Sequence, residues 1–254
     1  MFKLNIIESI ATATLDRPPV NAIDYDWVNT LNAALDQVEK TPAVSVLHLR
    51  SSSRIFCAGA DLALMQRLVS TPEGCDEMVE LIRKVQRALD RLEGIRVVTV
   101  AELGGAALGG GFELALACDL RVASKKAKLG LPEAGLGLIP GAGGTQRLTR
   151  ICGENIARRI ILGAEVVDGE QAAGLGMVQW AIDPDNIADW TAELVGRLGR
   201  LPRQAIAAGK RCIAAAYTSP ADGYDMELRE TRALYGDPDS RERVHAFLEK
   251  SASK

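Results

Sequence analysis

Two apolar, β-branched runs, Val44-Ser45-Val46-Leu47-His48-Leu49 and Val97-Val98-Thr99-Val100-Ala101, flank a long stretch whose apolar residues recur at helical spacing. Short continuous apolar runs bounded by turn signals read as strands buried on both faces, and such strands belong to parallel sheets. Between them, residues 72–92 carry Met78, Leu81, Ile82, Val85 and Leu89, one apolar stripe on a helix and so a face for core packing. Strand, helix, strand is the alternation of parallel α/β structure, and its crossovers are expected to be right-handed.

The flanking sequence extends this pattern. Residues 2–7 and 10–15 read as a hairpin around Glu8-Ser9, leading into the turn Asp16-Arg17-Pro18-Pro19. Asp24 is placed to N-cap a helix with Val28, Leu31, Leu35 and Val38 on its apolar side, ending before Pro42. Beyond the second run, a glycine-rich turn leads to a short helix over 111–117 and strands over 119–123 and 127–130. From Gly141 the pattern turns helical, over 142–151, 153–162, 169–173, 185–199, 203–216, 220–235 and 239–250, and the sheet is expected to have ended by then. The last four helices form a tail whose amphipathic faces need either their own core or a neighbouring subunit to cover.

Charge and composition exclude several kinds of function. With 30 basic and 33 acidic residues the net charge is −3, so no overall positive field draws nucleic acid or an anionic membrane. Aromatic residues, at 4%, leave few platforms for stacking bases. The five cysteines are odd in number and form no C-x-x-C pair, which fits free thiols in a reducing compartment, and a cytoplasmic location is expected. No apolar run approaches the roughly 18 residues of a membrane span. G-x-G-x-x-G, P-loop, H-E-x-x-H and G-x-S-x-G motifs are all missing, and with only His48, in a strand, and His245, near the C-terminus, no histidine triad or metal site is expected.

What remains is a pair of glutamates and two glycine-marked turns. Glu113 lies in Gly109-Gly110-Gly111-Phe112-Glu113-Leu114-Ala115 and Glu133 in Leu131-Pro132-Glu133-Ala134-Gly135. Each alone also reads as an exposed glutamate in a helix's first turn, favoured by the helix dipole. In an apolar setting a carboxyl is pushed up toward neutrality, where it can act as acid or base. The turns around Cys57-Ala58-Gly59-Ala60-Asp61-Leu62, with Asp61 as an N-cap, and Gly104-Gly105-Ala106-Ala107-Leu108-Gly109-Gly110-Gly111 are each expected where a strand gives way to a helix. Small residues let a substrate approach the backbone, and free amides from two such turns form an oxyanion hole. Two N–H donors on a thioester carbonyl stabilise enolate-like charge, and two carboxylates can hold and activate a water, a device for hydration or dehydration beside the thioester.

These segments resemble the crotonase family of enoyl-CoA hydratases and isomerases over nearly the whole chain. Arg17-Pro18-Pro19-Val20-Asn21-Ala22 is similar to the family's R-P-x-x-N-A turn, Ala58-Gly59-Ala60-Asp61-Leu62 to its A-G-A-D-[IL] loop, and 107–115 to its A-x-G-G-G-x-E-L-A stretch. Cys118-Asp119-Leu120-Arg121-Val122-Ala123, Pro132-Glu133, residues 138–148 and Ala246-Phe247-Leu248-Glu249-Lys250 follow in family order. The resemblance implies an α/β fold with a ββα spiral core over residues 1–195 and a helical C-terminal trimerisation region over 196–254, giving homotrimers or dimers of trimers. It implies an acyl-CoA thioester substrate, coenzyme A being part of the substrate and no separate cofactor being needed.

By the same resemblance, the N–H groups of Ala60 and Gly110 are the oxyanion donors, Glu113 is the base that activates water, and Glu133 holds that water and protonates the α-carbon. Val20, Ala22, Ala58, Ala60, Asp61, Leu62, Leu108, Gly109, Gly110, Pro132 and Gly141 are the substrate-binding positions. The implied reaction is reversible syn addition of water to a 2-enoyl-CoA; the alternatives are double-bond isomerisation, another crotonase-type reaction, or a silent acyl-CoA-binding subunit. Both glutamates together favour hydration. The chain departs from many hydratases in lacking lysines at Pro19 or Val20 and at Ala63, where CoA phosphates are met; Arg17, Arg54 and Arg67, or Lys250 of a neighbouring subunit, are the substitutes at hand.

Overall fold

The strands β1 (Phe2–Ile7) and β2 (Ile10–Leu15) form an antiparallel hairpin whose alternating burial reflects one face turned to the core. The computed structural model describes residues 1–218 and 222–252, so the first two residues of the helix expected over 220–235 lie outside the described residues, as do the side chains of Phe247 and Lys250. Helix α1 (Tyr25–Lys40) begins where Asp24 accepts a hydrogen bond from the Trp27 N–H, and it buries Trp27, Val28, Leu31, Leu35 and Val38. The chain then enters β3 (Val46–Ser51), α2 (Leu62–Leu68), α3 (Pro72–Gly94) and β4 (Val98–Leu103). The two apolar runs thus become neighbouring parallel strands, with Val46 paired to Val98 and Leu49 to Ala101.

Next come β5 (Ala107–Leu108), α4 (Gly110–Leu116), β6 (Leu120–Ser124), β7 (Lys128–Gly130) and a 3-10 turn over Pro132–Leu136. The remainder is α5 (Gly144–Cys152), α6 (Glu154–Leu162), β8 (Val166–Asp168), α7 (Gly169–Gly174), β9 (Trp180–Ile182), α8 (Ile187–Gly199), α9 (Arg203–Thr218), α10 (Gly223–Gly236) and α11 (Pro238–Ala252). The sheet does not end before Gly141 as expected: β9 is the sixth strand of the main sheet, ordered β1-β2-β3-β4-β6-β9, and β8 belongs to a second sheet, β5-β7-β8. Both late strands have three residues, too few to carry a period.

The crossovers from β4 to β6 and from β6 to β9 visit both sheets. The chain leaves the main sheet at β4, contributes β5 to the second sheet, and then forms α4; one turn earlier, Cys57 bridges in parallel to Ala107 before α2 and α3. This repeated strand, strand, helix path is the ββα spiral. Helix α8 covers one side of β2, β3, β4 and β6. β4 is buried along its whole length, and its one carboxylate, Glu102, accepts from or shares a proton with His48 Nε2 of β3 at 2.9 Å. The chain divides into two compact units, Met1–Gly199 and Arg200–Lys254. Within the second, Arg211 of α9 makes a two-pronged pair with Glu230 of α10. Among the described residues no helix is long and apolar enough to cross a membrane.

Candidate active site

Asn21 organises the first turn of the site. It is 1% exposed and left-handed, with φ 54°, a conformation that asparagine tolerates better than most residues. Its Nδ2 donates to the carbonyls of Ile55 and Phe56 and to Ser51 Oγ, while its Oδ1 accepts from the Arg17 N–H. The early turn is thereby tied to the segment leading into the Ala58-Gly59-Ala60-Asp61 loop. The Ala58 N–H donates to the Val20 carbonyl at 3.0 Å, Ile23 N–H to the Gly59 carbonyl at 2.9 Å, and Asp61 N–H to the Ile23 carbonyl at 3.0 Å. In this parallel bridge Ala60 contributes neither bond, so its N–H faces away from residue 23.

The second turn is built from the opposite side. Leu108 N–H donates to the Cys57 carbonyl at 3.0 Å and Gly109 N–H to the Gly130 carbonyl at 3.0 Å, so the turn lies between both neighbours. Phe112 and Glu113 N–H groups return to the Gly109 carbonyl, starting α4. The N–H of Gly110, like that of Ala60, donates to no described residue. The two turns touch through backbone: a Cβ at Gly59 would lie 3.0 Å from the Leu108 carbonyl oxygen and 3.4 Å from the Gly110 nitrogen. A Cβ at Gly111 would lie 2.1 Å from the Cys57 carbonyl oxygen. These glycines permit the close approach that sequence alone left equally open to helix–sheet packing.

The carboxylates flank this turn. A Cβ at Gly109 would meet Glu133 Oε1 at 2.8 Å, and one at Gly110 would lie 3.9 Å from Glu113 Oε2. Glu113, on α4, is 2% exposed, and its Oε1 accepts the Gly144 N–H at 2.7 Å. Burial pushes its carboxyl from 4.5 up to about 7; the Gly144 N–H opposes this, the charge of Glu133 adds to it, and the Ala142 N–H and Arg147 oppose it. Glu133, in the first turn of the 3-10 segment opened by Pro132, is half-buried, with Oε2 fully buried and without a hydrogen-bond partner among the described residues. Burial raises its pKa as well, against its own backbone N–H. Neither glutamate is the exposed helix-start residue that each alone could be.

The remaining sequence-predicted positions lie in the early turn, at the start of α2 and before α5. Val20 and Ala22 lie in the early turn, their carbonyls accepting from Ala58 N–H and from Arg17 Nη1. Asp61 caps α2 by accepting the Leu64 N–H at 3.1 Å; Leu62 opens that helix and is 64% exposed, an apolar side chain facing outward. Gly141 precedes α5, its carbonyl accepting from Gln86 Nε2 of α3. Arg17, suggested as a partner for CoA phosphates, is instead paired with Asp24 at 2.7 Å and Asp61 at 3.3 Å, so its charge is spent on holding the loop. Sequence reasoning missed Gly144, whose N–H holds Glu113; its signal was the Gly143-Gly144 pair directly before a helix.

Known proteins are similar to this chain in sequence and in fold. The family model described as enoyl-CoA hydratase/isomerase matches residues 5–254. A probable enoyl-CoA hydratase of Bacillus subtilis is 33% identical over 252 residues, 97% of this chain and 95% of that protein. The crotonyl-CoA hydratase of Syntrophomonas wolfei is 33% identical over 253 residues, 96% of this chain and 93% of that protein. The crystal structure of an enoyl-CoA hydratase from Bacillus anthracis superposes with a TM-score of 0.91 at 27% identity, covering 98% of this chain and 96% of that one. On both sequence and fold, the chain belongs to the enoyl-CoA hydratase/isomerase family of the crotonase superfamily.

Proposed function

We propose that this protein is an enoyl-CoA hydratase, a hydro-lyase that adds water reversibly to a 2-enoyl-CoA to give the 3-hydroxyacyl-CoA. One observation carries this reading: two carboxyls raised by burial flank a single glycine turn, beside two backbone N–H groups that donate to no described residue. The N–H groups of Ala60 and Gly110 donate to the thioester oxygen, where negative charge builds as water attacks. Glu113, with a pKa of about 7, takes a proton from the water as its oxygen bonds to the β-carbon. The electron pair of the double bond moves toward the thioester oxygen, and the collapsing enolate takes a proton at the α-carbon from Glu133. The charge of Glu133 opposes ionisation of Glu113, and the two carboxyls hold the attacking water between them. With the water and the Glu133 proton both presented to one face of the double bond, the addition is syn. Curated relatives named as crotonyl-CoA and short-chain-enoyl-CoA hydratases support the same chemistry.

The Met1–Gly199 unit is then the catalytic body and the Arg200–Lys254 unit the region that assembles homotrimers. Ile213, Tyr224, Leu228, Tyr235 and Leu248 of that second unit are each more than half exposed, an apolar surface suited to burial against other subunits. Hydration of crotonyl-CoA by purified protein, with products identified by chromatography and mass, tests the activity. Glu113→Gln and Glu133→Gln should each lower kcat by roughly 100-fold or more, the scale of lost acid–base catalysis. Unchanged turnover in either variant would sink the assignment, and a double-bond-shifted product would make the enzyme an isomerase.

A further inference from the structure

The turn that donates to Glu113 is gripped from a distant element. Residues 140–143 belong to no helix or strand, yet Gly144 N–H sits 2.7 Å from Glu113 Oε1. Helix α3 presents Gln86, Asp90 and Glu93 at positions i, i+4 and i+7, one face of the helix. Gln86 Nε2 donates to the Gly141 carbonyl at 2.6 Å. Asp90 accepts from Arg147 Nη2 at 2.6 Å and Glu93 from Arg147 Nε at 2.8 Å. The remaining arm of the same guanidinium, Nη1, donates to the Ala142 carbonyl at 3.0 Å. Arg147 also packs directly beneath the turn: at Gly143, with φ 104°, a Cβ would lie 2.3 Å from Nη1.

A guanidinium with a side chain only 3% exposed, bridging a helix and a loop carbonyl, is costly unless it is well partnered, and here each of its three nitrogens donates, two to carboxylates and one to the carbonyl. We propose that Arg147 and Gln86 are positioning residues for the base: anchored on α3, they hold the 141–144 turn where Gly144 can fix the orientation of Glu113. This rests on Glu113 being the base. The charged groups facing Glu113 are Glu133 from the 3-10 segment and Arg147 from α5, while Asp90 and Glu93 of α3 face Arg147, and Arg150 of α5 pairs with Glu93 at 3.2 Å. If the turn slackens, Glu113 loses N–H donors that favour its carboxylate but keeps the burial and the charge of Glu133 that disfavour it. The acid limb of the pH profile then moves to higher pH.

The test uses Gln86→Met, which removes an exposed donor at nearly constant length, and Arg147→Lys, which keeps the charge and loses the fork. Gln86→Lys, which keeps a donor within reach, is the rescue variant. Turnover of crotonyl-CoA is measured against pH, and the Glu113 carboxyl is titrated by carbon-13 NMR in glutamate-labelled full-length protein, its signal assigned by its loss in Glu113→Gln. We expect kcat to fall about 3–10-fold in Gln86→Met and about 10–100-fold in Arg147→Lys at little changed KM, the scale of a slight misplacement of a catalytic group. The acid limb and the NMR midpoint should rise together by about half a pH unit or more, and Gln86→Lys should return both close to the unaltered protein. Folded Gln86→Met and Arg147→Lys with unchanged kcat and midpoint, or a loss confined to KM, would overturn the proposal. If the unaltered protein hydrates no enoyl thioester, the hydratase reading fails, and the NMR midpoints still decide whether the turn is held in this way.

Discussion

Glu113→Gln should make the protein more stable at alkaline pH while disabling it. The side chain is 2% exposed, and burial is the main reason its carboxyl stands at about 7 where an unperturbed one stands at 4.5. Below pH 4.5 the carboxyl is protonated in both folded and unfolded chains, and its ionisation costs the fold nothing. Between 4.5 and about 7 the unfolded chain releases its proton while the folded chain retains it, so stability falls as pH rises; above about 7 the loss is complete and constant. At ~1.4 kcal/mol per pH unit, raising the carboxyl from 4.5 to about 7 costs roughly 3 kcal/mol at pH 8. Glutamine keeps an oxygen for the Gly144 N–H and carries no charge to bury. Guanidinium unfolding near pH 4, 6 and 8, at one protein concentration, checks this by tryptophan fluorescence, since Trp27, Trp180 and Trp190 all lie in the Met1–Gly199 unit. The gain over the unaltered protein should be near zero at pH 4 and about 2–3 kcal/mol at pH 8. A difference between the two proteins that stays constant across that range would refute the claim that Glu113 is ionised at a cost.

Gly109→Ala places a methyl group 2.8 Å from Glu133 Oε1 at a position with φ 52° and ψ −128°, so both the turn and the glutamate must move. Hydratase kcat should fall about 100-fold, with a stability loss of about 1–3 kcal/mol from backbone strain; activity assays beside thermal melts check both, and unaltered kcat would refute the geometry. Glu102→Leu strips His48 of its buried partner and should cost about 1–3 kcal/mol. The double variant His48→Phe/Glu102→Leu should recover most of that loss, because an apolar pair replaces the polar one outright; a denaturant double-mutant cycle measures the coupling.

The sheet's centre was legible because β3 and β4 are mostly buried and so are built largely from apolar residues, with few polar interruptions. The run at 97–101 stopped short of the observed strand because Glu102 breaks its composition; only the fold supplies His48 from the neighbouring strand to accommodate it. β8 and β9 were not legible, since three residues cannot display a period and their pairing comes from β7 and β6. At the site, Glu113 and Glu133 stood out as carboxylates within apolar segments. Their neighbours did not: Gly144 lies 31 positions from Glu113, and Gln86 lies 55 from Gly141, so each contact exists only once α3, α4 and α5 meet. Arg17 misled for a related reason, because a sequence marks a cation without marking that Asp24 and Asp61 already surround it.

The site also explains where the local rules of folding are broken and what offsets the breach. Among the described residues, two N–H groups find no acceptor and Glu133 Oε2 is buried without a partner, while two acids face each other across one turn. Each is unfavourable taken alone. The compensation lies in α4, whose residues from Gly111 to Leu116 are all buried. The far end of α4 is held by Arg121, which donates to the carbonyls of Ala115, Cys118 and Met177 and sets a cation against the negative end of the helix dipole. That burial is also what lifts Glu113 toward neutrality. A more solvated α4 would ionise Glu113 at lower cost and leave a weaker base, so stability at alkaline pH and proton abstraction near neutral pH draw on the same buried surface in opposite directions.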